Sequence, residues 1–459
     1  MRRVIFISIA FALLSLTNTA KASINDLISG HVVYSLQDDV HSLRKAAEAG
    51  DVDAQLKLGE YYYEGTGISK DYKEAAHWFA KAAAKGNAKA MNWLGNLYID
   101  GEGVEKDIPV GIEWFKKAAD LGNDMAMNNL GYIYYDGDGV EKDYAEALKW
   151  FMKAAVAGNE DAMNNVGRCY ITGGFGVQKD VAEALFWYRK AAEKGSAYAA
   201  SNLGACYKNG TNVTKDYEEA ARWFRKAADE GNATAQMELA QFYQFGYGVE
   251  KDLAEAAKWY KLSAEQDNTT SQAQLGNFYE YGIGVPKDYS EAAKWYRKAA
   301  DKNSAKAQHG LGWLYANGYG VPKDDLEATR LYLKAAESGY MLSQYNIGVR
   351  YLSGHAIEQD YDKAFYWFKK AADQGYAGAQ LNVGYCYEKG YGVKANAKEA
   401  VRWTRMAADQ GDNTAMRNLG QYYEHGIGVR KNLEEAIQWY EKAVQNGNQN
   451  AKEDLRRLR

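Results

Sequence analysis

Apolar and small residues recur along this chain at offsets of three and four, and the whole pattern returns every 36 residues. One register of the pattern is a glycine: Gly59, Gly95, Gly131, Gly167, Gly204, Gly276, Gly312, Gly348, Gly384 and Gly420. Ala240 stands there once, and a single step, Gly167 to Gly204, is 37 residues long. Leu, Ile or Val precedes this register, Ala or Ser stands five before it, and a tyrosine stands three after it in all eleven copies. Such offsets line Ala90, Leu94 and Tyr98 along one stripe of a helix, with Gly95 beside them where a neighbouring helix approaches closely.

A turn of the form Gly101-Glu102-Gly103-Val104 follows in most copies, and its glycines supply the positive φ that ends a helix. Asp or Asn comes next in every copy, with Glu three residues later in nine, so pairs such as Asp71 with Glu74 read as an N-cap and its capping-box partner. The second helix that starts there carries tryptophan in one register: Trp78, Trp114, Trp150, Trp187, Trp223, Trp259, Trp295, Trp367, Trp403 and Trp439. A bulky residue and then a small pair follow, as in Trp114, Phe115, Ala118 and Ala119, which lets adjacent helices interlock. Gly86, Gly122 and Gly158 mark where this helix stops. Each copy is helix, turn, helix, turn, and a period of this length predicts an all-α solenoid of antiparallel helix pairs.

Eleven copies of Ala-x-x-x-Leu-Gly-x-x-Tyr-x-x-Gly-x-Gly-Val, then Asp-x-x-x-Ala-x-x-Trp-(Phe/Tyr)-x-Lys-Ala-Ala-x-x-Gly, resemble the Sel-one-like repeat, a relative of the tetratricopeptide repeat. The resemblance covers residues 51–447. It implies a right-handed superhelix whose concave face binds other proteins, and it implies no catalytic residues or cofactor.

The ends read differently. Met1, Arg2 and Arg3 precede an apolar run from Val4 to Leu16, and Ala20-Lys21-Ala22 offers a cleavage point, so residues 1–22 are expected to be an export signal. That run falls short of the roughly 20 residues a membrane helix needs, so no membrane insertion is expected after cleavage. The location expected is periplasmic or secreted. Residues 23–50 form an N-terminal capping segment in which 36–50 read as a lone second helix, and 448–459 form a C-terminal capping helix with Arg456 in the glycine register.

Charge narrows the partner class. The formal net charge is −4, and loss of Arg2, Arg3 and Lys21 with the signal makes the chain more acidic. Nucleic acid, which needs a basic stripe, is not an expected partner. The terminal Lys452, Arg456, Arg457 and Arg459 read as a solvated helix face. Cys169, Cys206 and Cys386 share a register otherwise filled by residues such as Ile133 and Phe242, and read as small buried apolar residues. Some relatives with paired cysteines are associated with β-lactam hydrolysis. This chain lacks the pairs, and Ser42 with Lys45 matches only the Ser-x-x-Lys fragment of that chemistry. A hydrolase of β-lactams or cell-wall fragments is therefore the alternative to a binding protein.

Two features of the face opposite the core stripe point to a partner. Asparagine recurs two residues before the glycine at Asn129, Asn165, Asn202, Asn346, Asn382 and Asn418. Such a ladder either clamps the backbone of an extended peptide or ties neighbouring helices together. Aromatics outside the repeating pattern gather in the eighth to tenth copies: Trp313, Tyr345 and Tyr385, with Tyr319, Tyr340, Tyr376 and Tyr391 in the turns. Residues of this kind are enriched at interface hot spots. Departures around Ala240, Ser263, Asp267, Ser271 and Asn303, and again around Leu331, Ser343, His355 and Ala356, mark candidate bends. The expected function is an exported scaffold for a protein or peptide, either a host protein in virulence or an envelope protein in assembly or signalling.

Overall fold

The computed structural model describes residues 40–173, 176–211 and 213–458. The expected signal 1–22 and residues 23–39 of the capping segment lie outside the described residues. Helices run in pairs, with first helices from Val52–Glu64 to Asn413–His425 and second helices from Tyr72–Ala84 to Leu433–Gln445. The architecture is an all-α solenoid of helix pairs. The described residues fall into two compact units, divided between Lys215 and Asp216. Within each unit a first helix packs on its own second helix, and that second helix packs on the next first helix.

Local chemistry sets each boundary. Asn87 accepts a hydrogen bond from the backbone N–H of Ala90 at 2.9 Å to open the helix Ala88–Asp100, and Gly101 closes it at φ 76°. Asp107 caps Ile108–Asp120 through Val110 N–H at 3.1 Å. At the end of the second helices glycine again takes positive φ, and where it is replaced Asp267 (φ 67°) and Asn303 (φ 63°) keep the same left-handed turn. These two departures therefore leave the local backbone unchanged, because short polar side chains tolerate that region.

The glycine register is where the two helices of a pair lock. A Cβ built on Gly95 would lie 2.5 Å from two ring carbons of Phe115, and Gly276 and Gly420 sit equally close to Tyr296 and Tyr440. The ring after the tryptophan thus lies flat on a helix that has no side chain at that point. Several of these rings are fully buried, among them Phe79, Phe151, Tyr260 and Phe368. The tryptophans lie beside them, buried at Trp78, Trp187, Trp403 and Trp439 and half-buried at Trp114, Trp150, Trp223 and Trp367. A lysine three residues on covers the ring, 4.3 Å from the Trp78 centroid and 3.9 Å from that of Trp150. The core is mainly Ala, Leu and aromatics, with a few buried polar residues such as Asn165, Gln272 and Glu424 among them.

Helical residues 40–48 bury Ala47 and direct Arg44 to the Tyr62 hydroxyl. Arg189 to Tyr207 at 2.9 Å and Arg297 to Tyr315 at 2.8 Å repeat this relation between a second helix and the next first helix. Ser42 and Lys45 are exposed on that helix rather than gathered in a cleft. At the other end, Asn450–Leu458 buries Ala451. Lys452, Arg456 and Arg457 are exposed, as a solvated face requires, and Arg457 in addition bonds the buried carboxylate of Glu424, with Nη2 to Oε2 at 3.0 Å.

Candidate functional site

The asparagines divide into two groups. In the first unit Asn129 Nδ2 donates to Asn92 Oδ1 at 3.0 Å, Asn165 to Asn128 at 2.9 Å and Asn202 to Asn164 at 2.8 Å. Each bond joins one first helix to the preceding first helix, and Asn165 also accepts from the Tyr132 hydroxyl at 3.1 Å. These amides tie neighbouring repeats together. In the second unit Asn382 turns back on its own helix, to the carbonyl of Gly378 at 3.0 Å, while Asn346 bonds the Tyr332 hydroxyl. Asn418 is half-buried.

The aromatics form three ring groups in the second unit. Trp313 lies 5.3 Å from Tyr319 and 6.2 Å from Tyr289. Tyr345 meets Tyr376 at 5.0 Å, and Tyr385 meets Tyr391 at 5.7 Å. Part of this is packing: the first residue of a second helix stacks on the turn of the next repeat in Tyr217–Tyr247, Tyr289–Tyr319 and Tyr361–Tyr391, with centroids 5.0, 4.8 and 4.2 Å apart. Trp313 and Tyr345 remain half-buried, and Tyr385 is 38% exposed.

Trp313 and Asn346 come together in a cavity of about 340 Å³ between the first helices Ala305–Asn317 and Met341–Ser353. Tyr332, Val349, Arg350, Ser353 and His355 complete it. Arg350 is buried at 7% exposure, with Nη1 donating to the Thr329 hydroxyl at 2.8 Å and to the carbonyl of Asp325 at 3.1 Å. Asp325 Oδ1 lies 3.4 Å from Arg350 Nη2 and 3.1 Å from His355 Nε2. The bond from His355, then Lys323 and Arg350, holds the Asp325 carboxyl below its ordinary range, whereas burial pushes the Tyr332 phenol up to about 12. Nearby, His309 bonds Ser343 Oγ at 2.9 Å, and burial holds its imidazole down at about 4, so it is neutral at physiological pH.

A Sel1 repeat profile matches eleven consecutive segments, from 52–87 to 413–448. The chain belongs to the Sel1 repeat family. Among solved structures it is similar to a protective antigen present in uropathogenic Escherichia coli strains that displays an SLR fold. The two are 37% identical, the match covers 91% of this chain and 90% of that one, and the TM-score is 0.78. It is also similar to a Sel1 repeat protein from Oxalobacter formigenes, 36% identical over 53% of this chain and 96% of that one, with a TM-score of 0.48. No curated protein sequence matches it.

Against the Sel1 repeat as this chain itself writes it, Arg350 is the residue that reading the sequence for aromatics and asparagines misses. Its register, two after the glycine, holds Leu97, Ile133, Phe242, Phe278, Leu314 and otherwise uncharged residues, so a lone arginine was a legible signal. The three cysteines of that register are free and buried, and burial pushes the Cys169 thiol up to about 11 and the Cys386 thiol up to about 12. A second departure lies in the first unit. On the Sel1 second helix Tyr144–Ala157, Met152 and Val156 occupy registers held elsewhere by residues such as Arg225 and Asp229, and with Leu148 they line an apolar groove of about 800 Å³. No group of His, Cys, Asp and Glu among the described residues can hold a metal ion, and no described helix is long and apolar enough to cross a membrane.

Proposed function

We propose that this protein is an exported interaction scaffold that holds a partner polypeptide on its first-helix layer, with the main contact in the second unit. The observation that carries this reading is the opening between the eighth and ninth first helices, where Trp313, Asn346 and Arg350 meet at the surface of the layer. Membership of the Sel1 repeat family supports protein binding as the general role. Tyr345 and Tyr385 extend the same face into the next repeats, and rigid aromatic side chains contribute contact area at small entropic cost. Export is supported by the apolar run Val4–Leu16 ahead of Ala20-Lys21-Ala22.

The test is capture by the mature chain from envelope extract and, in parallel, from host secretions, against a Trp313→Ala, Tyr385→Ala variant of unchanged helicity. A protein retained by the wild type and lost by the variant supports the reading, and its source separates envelope assembly from host binding. Equal retention by both refutes the proposed face. Mass spectrometry of the chain from the periplasm or medium checks export, which requires a mature N-terminus at Ser23.

A further inference from the structure

We infer that the cavity between the eighth and ninth first helices is a carboxylate-binding site that takes an acidic group of the bound polypeptide. The proposal rests on the scaffold reading and adds the ligand chemistry.

Four departures from the repeat meet at this one junction. Where the junctions on either side stack two tyrosines, Tyr289–Tyr319 and Tyr361–Tyr391, this junction pairs Asp325 with His355. Arg350 replaces a buried apolar residue, and Thr329 stands where Ala221, Ala257 and Ala293 stand in other copies. The turn carries Ala356 at φ 54°. In the neighbouring repeats Gly320 and Gly392 occupy that register, pressed against the backbone carbonyls of Tyr289 and Tyr361 too closely for any Cβ. Ala356 carries a Cβ in that register, for which an approach as close as that of Gly320 or Gly392 leaves no room. A carboxylate and an imidazole thus stand beside the cavity where the adjacent junctions stack two rings.

The chemistry of the opening is one-sided. Its lining contains Arg350, His355, Asn346, Ser353, Val349 and the rings of Trp313 and Tyr332, and the carboxylate beside it, Asp325, is already engaged by Arg350 and His355. Arg350 is held by Thr329 and Asp325 through both Nη1 bonds and one bond from Nη2. A guanidinium has five N–H donors, so Nε–H and the second Nη2–H, which form one edge of the group, have no acceptor among the described residues. That edge matches the two oxygens of a carboxylate. A purely structural ion pair gains little over well-packed apolar residues, and the Asp325 pair leaves this edge unused. Trp313 forms an apolar wall beside it, suited to the flanking side chain.

The test uses the full chain and an array of hexapeptides, each made with a free C-terminus, as its C-terminal amide, and with Asp and Glu changed to Asn and Gln. The tightest are then titrated against wild type, Arg350→Gln, Trp313→Ala and His355→Ala by fluorescence anisotropy. Neutralising the carboxylate is expected to weaken wild-type binding by about tenfold or more, and to change nothing further in Arg350→Gln. Loss on amidation identifies a terminal carboxylate, and loss on Asn or Gln replacement identifies a side chain. Should Arg350→Gln fail to fold, Trp313→Ala and His355→Ala leave the bonds of Arg350 in place and must still weaken binding. Peptides that bind equally with and without a carboxylate overturn the proposal while leaving the scaffold intact. Retention of no peptide, together with no captured partner, overturns both.

Discussion

Gly95→Ala tests whether the repeat glycine exists for the ring that lies on it. The added methyl would sit 2.5 Å from Phe115 Cδ1 and Cε1 and 3.0 Å from Cγ, against an ordinary carbon contact of about 3.5–4.0 Å. Two ring atoms must therefore retreat by about 1 Å in a core where Phe115 is only 2% exposed. Overpacking of this kind costs about 1–3 kcal/mol. Alanine in a helix interior returns up to about 1 kcal/mol relative to glycine, so the net loss is about 1–2 kcal/mol. A solenoid opens locally, and so a single melting temperature is a poor readout. Hydrogen exchange measured on peptides from Ala88–Asp100 and Ile108–Asp120 reads the right quantity, with acceleration of about 5- to 30-fold expected there and none in the distant repeats. A cycle with Phe115→Leu sharpens it: the shorter side chain gives the methyl room, and the two changes together cost less than their sum. Exchange in Gly95→Ala as slow as in the wild type, or strict additivity in the cycle, would refute the ring-contact explanation. The chain supplies its own comparison at Ala240, which is buried against the second helix carrying Tyr260. That repeat has accommodated the methyl, and so Ala240→Gly should also destabilise, by about 1 kcal/mol, through lost helix propensity.

Asn165→Ala strands the Asn128 amide oxygen and the Tyr132 hydroxyl in a buried position, and urea denaturation should show a loss of about 1–3 kcal/mol; Asn418→Ala, at a half-buried site, should stay within about 0.5 kcal/mol. His309 is neutral in the folded chain down to about pH 4, against an ordinary value of 6.5. The unfolded chain takes up the proton first, so stability is full above 6.5 and is lost as pH falls towards 4, by at most about 3 kcal/mol. His309→Gln should flatten the difference in denaturant midpoint between pH 7 and pH 4, and an unchanged slope would show that the imidazole does not carry it. Arg457→Ala should speed exchange in Asn413–His425 by leaving the buried Glu424 with the Tyr440 hydroxyl, 2.7 Å away, as its remaining hydrogen-bond partner and His425 3.8 Å away. Arg457 first, then Tyr440, holds Glu424 below its ordinary 4.5, so this contribution is complete above that pH and disappears in stronger acid, where variant and wild type should converge.

The helix pairs were legible because eleven copies repeat the same solution. Gly95, Phe115 and Asp107 each make sense only as members of a register, and the register announces which residue lies on which. The asparagine ladder was half legible. Periodicity placed Asn129, Asn165 and Asn202 on one face, but their partners Asn92, Asn128 and Asn164 lie one residue off register in the preceding copy. That offset comes from how neighbouring helices slide along each other, which a single repeat does not encode. The same three-dimensional offset hid the cavity: Trp313, Tyr332 and Arg350 occupy three different registers on three helices.

A repeat protein is its own mutational series, and that gives its exceptions a direction. A buried arginine arising alone at the register of Leu314 would leave a charge without partners and destabilise its repeat by several kcal/mol. Arg350 did not arise alone, since Asp325 and Thr329 differ from their registers too and both bond it. Drift that merely tolerated a charge would need the charge satisfied, and these two residues achieve that with one edge of the guanidinium. Asp325 takes the place of the stacked tyrosine, so the loss of that stack belongs to the satisfaction, whereas Ala356 in the turn adds nothing to it. The exchange also gives up a ring stack that the adjacent junctions keep, at Tyr289–Tyr319 and Tyr361–Tyr391. A feature that gives up a ring stack to hold an arginine edge at an opening is accounted for by what enters the opening, and an arginine edge selects a carboxylate.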